Sequence, residues 1–279
     1  MSTFRFDRSA LTAPRASIAG TALVALLVSG LLTGGSQAAP AAAVGEPAPA
    51  RATTAAPRPA TAPRPATAPA VSRPAVGPEA RLAALVPTLD REVLRLGLAA
   101  HSGAVARGLA ARPELLTVID YSRPSTEKRL WVFDLAADRL LFHELVAHGK
   151  NTGDNLATRF SNVEGSKQSS LGTFTTAETY HGSNGYSLRL VGLERGVNHL
   201  AMQRAIVIHG APYVSAAFAA SQGRLGRSWG CPAVSQAVSR PLIDAIAGGS
   251  VVFSYYPDQG WLASSDLLRQ GGTALAVAR

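Results

Sequence analysis

Apolar and polar positions follow four different patterns along this chain, and the first is a long uncharged run near the N-terminus. Three arginines precede a stretch from Ala16 to Val44 that contains no charged residue and is most apolar between Ile18 and Leu32. Small residues then lead to Ala38 and Ala39. A basic start, an apolar run and a small-x-small end predict a secretory signal peptide over residues 1–38.

The alternative for this run is a membrane anchor, which needs about twenty consecutive apolar residues. Gly30, Gly34 and Gly35 interrupt the run and favour cleavage over anchoring. We therefore expect an exported protein of the periplasm or cell wall, with no stable membrane span after the signal peptide is removed.

The second pattern is a stretch of low complexity over residues 39–78, built from alanine, proline, threonine and arginine. It contains "APRPAT" at 56–61 and again at 62–67. Such a composition cannot supply a core and predicts a disordered, extended linker. Its four arginines leave open a second role, in which the linker lies along an anionic polymer.

The third pattern has the period of a helix. In residues 79–112 apolar side chains recur every three or four positions, which predicts one or two helices, with Pro87 either as a break or in the first turn of a second helix. This segment presents a packing face and no chemistry, so we expect it to pack on the domain that follows.

The fourth pattern is a series of short β-rich runs separated by turn residues. They lie at 115–120, 129–135, 140–148, 186–192, 205–210 and 251–256. A helical period returns between Ser235 and Ala247, where Pro241 is expected to divide the run into two short helices. The predicted class is mainly β with flanking helices (α+β) over residues 113–258, followed by a loosely packed extension, 259–279.

The net charge of +9 is concentrated outside the predicted domain. The signal peptide carries two of these charges and the linker three, so residues 79–279 retain only four. Proteins that bind nucleic acids usually present a clustered basic face with interleaved aromatic residues. We find no such cluster and expect no nucleic-acid partner.

Cys231 in "GRSWGCPAV" is the only cysteine of the chain. Exported proteins normally use cysteines in disulfide pairs, so a lone one is either an inert buried thiol or a nucleophile. Gly230 would allow close approach of a substrate, and Pro232 is placed to open the helix that begins near Ser235. A thiol just before a helix N-terminus has a lowered pKa, which favours the nucleophile.

A thiol nucleophile needs a base, and His209 is the best candidate because it ends the apolar run "AIVIHG". The alternative is a hydrogen-bonded core histidine. His143, His148 and His181 are weaker candidates. The chain contains no HExxH motif and no paired Cys/His spacing, so we expect no metal and no other cofactor.

"IHG" followed by "SWGC" resembles the YkuD-like murein L,D-transpeptidases, in which His-Gly is followed by Ser/Thr-His-Gly-Cys. "SSLGTFTT" at 169–176 is similar to that family's Pro-x-Gly-x-Phe strand. "IDYSRPSTEKRLWVFDL", "VAHGKN" and "GRSWGCPAV" resemble the branch of the family that carries Ser-x-Gly-Cys-Pro. The resemblance covers about residues 113–258 and implies an L,D-transpeptidase-like β-sandwich.

The resemblance also implies residue roles. Cys231 would be the nucleophile and His209 its base, held by the backbone carbonyl of Gly210. The N–H groups of Gly230 and Cys231 would form the oxyanion hole, with Ser228 supporting the loop.

Two positions depart from the family's pattern. Trp229 stands where the family has a second histidine, and Ala233 stands where it usually has an arginine. We therefore assign substrate binding to Trp229 and to two cations of the preceding insert, Arg224 and Arg227. The alternative for both arginines is a solvated loop.

The implied function is L,D-transpeptidation of peptidoglycan stem peptides through a thioester on the cysteine. Two alternatives stay open: hydrolysis by the same residues, as in an L,D-carboxypeptidase, and a non-catalytic module that binds the wall. The sequence selects neither the acceptor nor an oligomeric state.

Overall fold

The computed structural model describes residues 77–277, so the predicted signal peptide and nearly all of the predicted linker lie outside the described residues. The described part of the chain forms six helices and eight strands. In chain order they are α1 (Pro78–Leu85), α2 (Arg91–Ala106), β1 (Leu115–Asp120), β2 (Leu130–Asp134), β3 (Arg139–Glu144), β4 (Gly172–Gly182), β5 (Gly185–Gly192), β6 (Val207–Ala211), α3 (Ala216–Gln222), β7 (Ala233–Ser235), α4 (Gln236–Ile246), β8 (Val251–Tyr255), α5 (Gln259–Ser264) and α6 (Asp266–Val277). Within residues 77–277, no helix has the length and apolar character that a membrane span requires.

All eight strands belong to one mixed sheet in the order β3-β2-β1-β8-β4-β5-β6-β7. The β1/β8 and β6/β7 pairs are parallel, and the other pairs are antiparallel. The sheet curls until its two ends meet, because Ala147, just after β3, forms a bridge with Ala233 of β7. The amide of Ala147 donates to the carbonyl of Ala233 at 2.8 Å. The result is a nearly closed, sandwich-like sheet with flanking helices, which confirms the predicted fold class.

Apolar side chains cover both faces of the sheet, because successive residues of a strand point to opposite sides. On the outer face, Trp131 and Phe253 pack with residues of α1, α2, α5 and α6. On the inner face, their neighbours Val132 and Val252 pack with residues of α4. Strands β1, β2 and β8 are therefore buried on both sides, which explains their nearly continuous apolar sequences.

Helix α4 is continuous through Pro241, so the predicted division into two helices is wrong. A proline inside a helix removes one backbone hydrogen bond and crowds the preceding turn. Here the residues that follow it, Leu242, Ile243 and Ile246, are completely buried in the inner core. Burial of three such side chains contributes about 1.5–3 kcal/mol each and offsets the local defect.

The segment after Pro257 is not loosely packed, contrary to the sequence-based expectation. It forms α5 and α6, with Trp261 and Leu267 buried. Helix α6 lies in backbone contact with α2: a Cβ at Gly103 would be 2.3 Å from the carbonyl oxygen of Leu267, and one at Gly271 would be 1.7 Å from that of Ala99. Gly103 and Gly271 therefore allow α2 and α6 to approach closely, which the pattern of apolar residues did not indicate.

A buried arginine lies where the ends of the sheet meet. The guanidinium of Arg129 donates to the carbonyl of Val146 through Nε (3.1 Å) and Nη2 (2.9 Å), and to that of Arg123 through Nη1 (2.7 Å). Nη2 also donates to Nδ1 of His148 at 2.8 Å. Because Nδ1 accepts this bond, Nε2 of His148 carries the proton, and it lies 3.3 Å from the carbonyl oxygen of Gly153.

This contact keeps His148 neutral. Burial and the positive charge of Arg129 lower the pKa of His148 to about 4. Burial also lowers the pKa of Arg129 to about 10, which leaves the guanidinium charged at neutral pH. Protonation of His148 would remove its acceptor and place two cations in direct contact.

We predict that acid weakens the fold through His148. Because its pKa falls from 6.5 in the unfolded chain to about 4 in the folded one, its contribution to stability is present above pH 6.5 and is lost as the pH falls towards 4. The loss amounts to about 3 kcal/mol. His148→Gln can still accept a bond from Arg129 but does not titrate. Denaturant unfolding at a series of pH values should give a flatter pH dependence for this variant, and parallel curves for the two proteins would contradict the prediction.

Candidate active site

A cavity of about 350 Å³ opens beside strand β6 and the loop that precedes β7. Its lining residues are Ser183, Asn184, His209, Tyr213, Arg227, Ser228, Trp229 and Cys231. The fold therefore brings the only cysteine and the candidate base to one cavity, together with three of the other predicted site residues. Arg224 does not line it.

Strand β6 positions His209. The strand extends to Ala211, two residues beyond the histidine, because β7 pairs with β6 in parallel and matches His209 to Ala233. The sequence had suggested that His209 ends the strand, but in the structure it lies inside β6. The register places Cys231 two residues before the partner of His209, so the loop that carries the cysteine enters β7 beside the histidine.

The imidazole of His209 is held in one tautomer. Its Nδ1 lies 3.0 Å from the carbonyl oxygen of Gly210, the partner expected from the sequence. A carbonyl can only accept, so Nδ1 carries the proton and Nε2 carries the lone pair that a base requires. Burial lowers the pKa of His209, and the bond to Gly210 opposes this only partly. The imidazole is therefore neutral at neutral pH.

The thiol of Cys231 is half-buried and faces the backbone just before β6. Its Sγ lies 3.6 Å from the carbonyl oxygen of Ala205. Burial raises the pKa of this thiol, and a hydrogen bond from the amide of Val207 and the charge of Arg204 act in the opposite direction. The balance favours the protonated thiol at rest.

The predicted helix begins where it was expected, near Ser235, but Pro232 does not belong to its first turn. Strand β7 occupies Ala233–Ser235, and α4 begins only at Gln236 with Ser235 as its N-cap. The helix dipole acts mainly within the first turn, so it does not lower the pKa of Cys231 as the sequence suggested. Parallel pairing with β6 takes precedence over helix formation at these three residues.

Ser228 organises the loop that carries the cysteine. Its hydroxyl donates to the carbonyl of Cys231 at 2.6 Å and accepts from the amide of Gly230 at 3.1 Å. The amide of Gly230, which was predicted to be an oxyanion donor, therefore already has a partner in this arrangement. In the described part of the chain, the amide of Cys231 makes no hydrogen bond and is the available donor.

Gly230 is required by its surroundings. Its φ of 128° lies in a region that side chains disfavour, and a Cβ would lie 2.8 Å from the carbonyl oxygen of Gln168. Its own carbonyl accepts from the hydroxyl of Ser169 at 3.0 Å. The glycine thus allows the cysteine loop to pack on the backbone of residues 168–169, a role different from the predicted approach of a substrate.

The other predicted substrate-binding residues differ in their surroundings. Trp229 is 76% exposed, with the ammonium of Lys167 4.9 Å from its ring centroid. Arg227 lines the cavity but forms an ion pair with Asp154 at 2.7 Å. The guanidinium of Arg224 donates to the carbonyl of Leu225, outside the cavity. Of the three, Trp229 is the side chain most available to a ligand.

Two residues near the thiol were missed by the sequence interpretation. Tyr213 lines the cavity, and burial together with the neighbouring Cys231 raises its pKa to about 12. Arg204 interacts electrostatically with the thiol from the loop before β6. Both lie within five positions of His209, which is the only sequence signal that could have identified them.

The remaining candidate histidines lie outside the cavity lining. The ring of His143 stacks on Trp131 with centroids 5.0 Å apart. His148 accepts from Arg129, and His181 packs against Tyr186 on the β4–β5 hairpin. Among the candidate histidines, only His209 lines the same cavity as Cys231.

Comparison with known proteins places this arrangement in a family. The family model described as "L,D-transpeptidase catalytic domain" matches residues 86–255, more than half of the chain. No curated protein matches the chain.

Several solved structures are similar at low identity. An L,D-transpeptidase from Mycobacterium smegmatis is 16% identical (TM-score 0.33), and its match covers 51% of this chain and 59% of that one. L,D-transpeptidase 1 from Mycobacterium tuberculosis is 13% identical (TM-score 0.29; 51% and 62%). The helical cell shape determining protein Pgp2 from Campylobacter jejuni is 11% identical (TM-score 0.37; 64% and 62%).

This chain thus spans about three fifths of the length of these three proteins. At these sequence identities and TM-scores, the family assignment depends on the match to the family model and not on structural similarity. On the strength of that match, which includes the strands and the loop that carry His209 and Cys231, the chain belongs to the L,D-transpeptidase catalytic domain family.

Proposed function

We propose that this protein is an exported cysteine acyltransferase that exchanges amide bonds in peptidoglycan stem peptides through a thioester on Cys231. The observation that carries the proposal is the shared cavity of Cys231 and His209, in which the tautomer of His209 leaves Nε2 free to accept a proton. Family membership supports peptidoglycan as the substrate class.

In the first half-reaction, Sγ of Cys231 attacks the carbonyl carbon of the third residue of a tetrapeptide stem. Nε2 of His209 takes the thiol proton as the C–S bond forms. The C–N bond to the terminal D-alanine then breaks, and His209 returns the proton to the leaving amine. The enzyme is left as a thioester with a neutral imidazole.

In the second half-reaction, an amine of a neighbouring stem attacks the thioester carbon. His209 takes a proton from this amine, the C–S bond breaks, and the sulfur is protonated again. One amide has replaced another, so no external energy source is needed. Water in place of the amine would give hydrolysis by the same residues.

The amide of Cys231 is the proposed donor to the oxyanion. It makes no hydrogen bond in the described part of the chain, and it belongs to the residue whose sulfur forms the new bond. A donor of this kind typically contributes about 10²–10³ in rate. The bonds of Ser228 keep the loop in the conformation that presents this amide.

Replacement of the nucleophile or the base tests the proposal. Purified protein would be incubated with tetrapeptide muropeptides, and the products followed by mass spectrometry. We expect Cys231→Ala to abolish D-alanine release and cross-linking, and His209→Gln to lower kcat/KM by about 10²–10⁴.

His143→Gln provides the matched control, because it removes a histidine that stacks on Trp131 outside the cavity lining. It should keep the wild-type rate. Cross-linked product formed by Cys231→Ala at the wild-type rate would refute the proposal, and tripeptide as the sole product of the wild type would identify a hydrolase.

The pH dependence of kcat/KM reports the neutral state of the base. His209 must be unprotonated to act, and burial lowers its pKa from 6.5, so activity should be lost only as the pH falls through a midpoint below 6.5. Alkylation of the free enzyme by iodoacetamide should increase with a midpoint above that of an ordinary cysteine, because burial raises the pKa of Cys231. Rapid alkylation at acidic pH would instead indicate a preformed thiolate–imidazolium pair.

Gly230→Ala tests the packing of the cysteine loop. A side chain at its φ of 128° is strained by about 1–3 kcal/mol, and its Cβ would also meet the carbonyl oxygen of Gln168. We expect kcat/KM to fall more than about tenfold, since misplaced reacting groups lose rate steeply. Gly223→Ala, with a φ of 65° and no neighbour within 4 Å of its Cβ, adds strain alone and should keep the wild-type rate. Equal activity of the two variants would contradict the role assigned to Gly230.

A further inference from the structure

The guanidinium of Arg204 is held by neutral oxygens alone. Nη1 donates to the carbonyl of Ser161 (2.6 Å) and to the hydroxyl of Ser170, and Nη2 donates to the carbonyl of Gln168 (2.7 Å) and to the hydroxyl of Ser166 (3.2 Å). No carboxylate of the described residues pairs with it. A half-buried guanidinium that donates hydrogen bonds only to neutral oxygens, with no carboxylate beside it, can still stabilise a neighbouring anion by its positive charge.

The positive charge of Arg204 acts on the thiol of Cys231, whose pKa it lowers against the effect of burial. The next residue, Ala205, turns its carbonyl oxygen to within 3.6 Å of Sγ. Ala205 has a φ of 52°, in the left-handed region that residues with a side chain rarely adopt. Such strain commonly marks functional sites, and here it accompanies the orientation of this segment towards the sulfur.

Two neighbouring residues of this loop therefore act on the two protonation states of the sulfur. The carbonyl of Ala205 accepts from the S–H group of the thiol, which favours the protonated form. The charge of Arg204 favours the thiolate.

Four other titratable groups lie near the thiol, and none of them supplies a free positive charge. Tyr121 and Tyr213 are neutral, because burial raises the pKa of each to about 12. His209 is neutral at rest, since burial lowers its pKa. Arg227 lines the same cavity but is paired with Asp154.

Arg204 is also tied to the loop that carries the nucleophile. The carbonyl of Gln168 that accepts from Nη2 packs against the α-carbon of Gly230, since a Cβ there would lie 2.8 Å from this oxygen. The arginine therefore holds the backbone on which Gly230 packs. The carbonyl of Gln168 thus links the side chain of Arg204 to the loop that positions Cys231.

We propose that Arg204 is a positioning residue that stabilises the thiolate of Cys231 when His209 removes its proton. In this chain Trp229 occupies the position of the second histidine in the related motif, so no imidazole adjoins the cysteine in sequence. The charge is supplied instead from the loop before β6. This inference rests on the proposed role of Cys231 as nucleophile, but its test uses no peptidoglycan.

The test is the pH profile of alkylation of the purified protein by iodoacetamide, followed by mass spectrometry. Cys231 is the only cysteine, so the profile reports one thiol. Arg204→Gln removes the charge, and we expect the midpoint to rise by about one pH unit, which is about tenfold less thiolate below the midpoint. Arg204→Lys keeps the charge and should keep the midpoint close to that of the wild type.

Two controls separate charge from structure. Arg159→Gln makes the same charge change at an exposed arginine of a neighbouring segment and should leave the midpoint unchanged. Ser166→Ala removes one acceptor of Arg204 without a change of charge; it should lower the melting temperature slightly and also leave the midpoint unchanged.

A wild-type midpoint in Arg204→Gln, or the same rise in Ser166→Ala, would overturn the proposal. If Arg204→Gln does not fold, Arg204→Lys decides: an unchanged midpoint supports the role of the charge, and a raised one contradicts it. Because alkylation needs no substrate, a protein inactive on muropeptides would still give either result, and the two proposals can fail separately.

Discussion

The buried contact between Arg129 and His148 is the constraint on which the curled sheet depends. Arg129 donates to the carbonyl of Val146, whose neighbour Ala147 bridges to β7, and the carbonyl of His148 accepts from the amide of Ser228 at 3.0 Å. The same three residues, 146–148, thus join β2, the end of the sheet and the loop that leads to Cys231. A buried charge is tolerated only when its donors are satisfied, and here carbonyls and a neutral imidazole satisfy them.

The candidate active site shows a related balance between burial and charge. Burial makes both His209 and Cys231 favour their neutral forms, so neither acts as a permanently charged group. The proposed chemistry therefore needs the proton to move during attack, and it needs the new anion to be stabilised from elsewhere. Arg204 has the charge and the hydrogen-bonded rigidity for that task.

Several features of the fold were predictable because they depend on local pattern. The strands at 115–120 and 251–256, the break at Pro87 and the helix after Ser235 follow from residue spacing, turn residues and capping. The tightly packed helices α5 and α6 were not predictable in the same way. Their contact with α2 depends on glycines that meet distant backbone atoms, and no local pattern records that approach.

The sequence by itself indicated the family and named one cysteine and one histidine as the candidate reacting groups, because these depend on residue identity and short spacing. The family resemblance also implied the carbonyl of Gly210 as partner of the imidazole, and the structure has that contact. Only the tertiary structure decided the state of the thiol. Strand β7 separates Cys231 from the helix whose dipole was expected to lower its pKa, and burial raises that pKa instead. Tertiary contacts likewise occupy the amide of Gly230, pair Arg227 with Asp154 and place Ala205, the residue after Arg204, against the sulfur. Burial from solvent and contacts between distant segments set these properties, and neither can be deduced from residues that are adjacent in the chain.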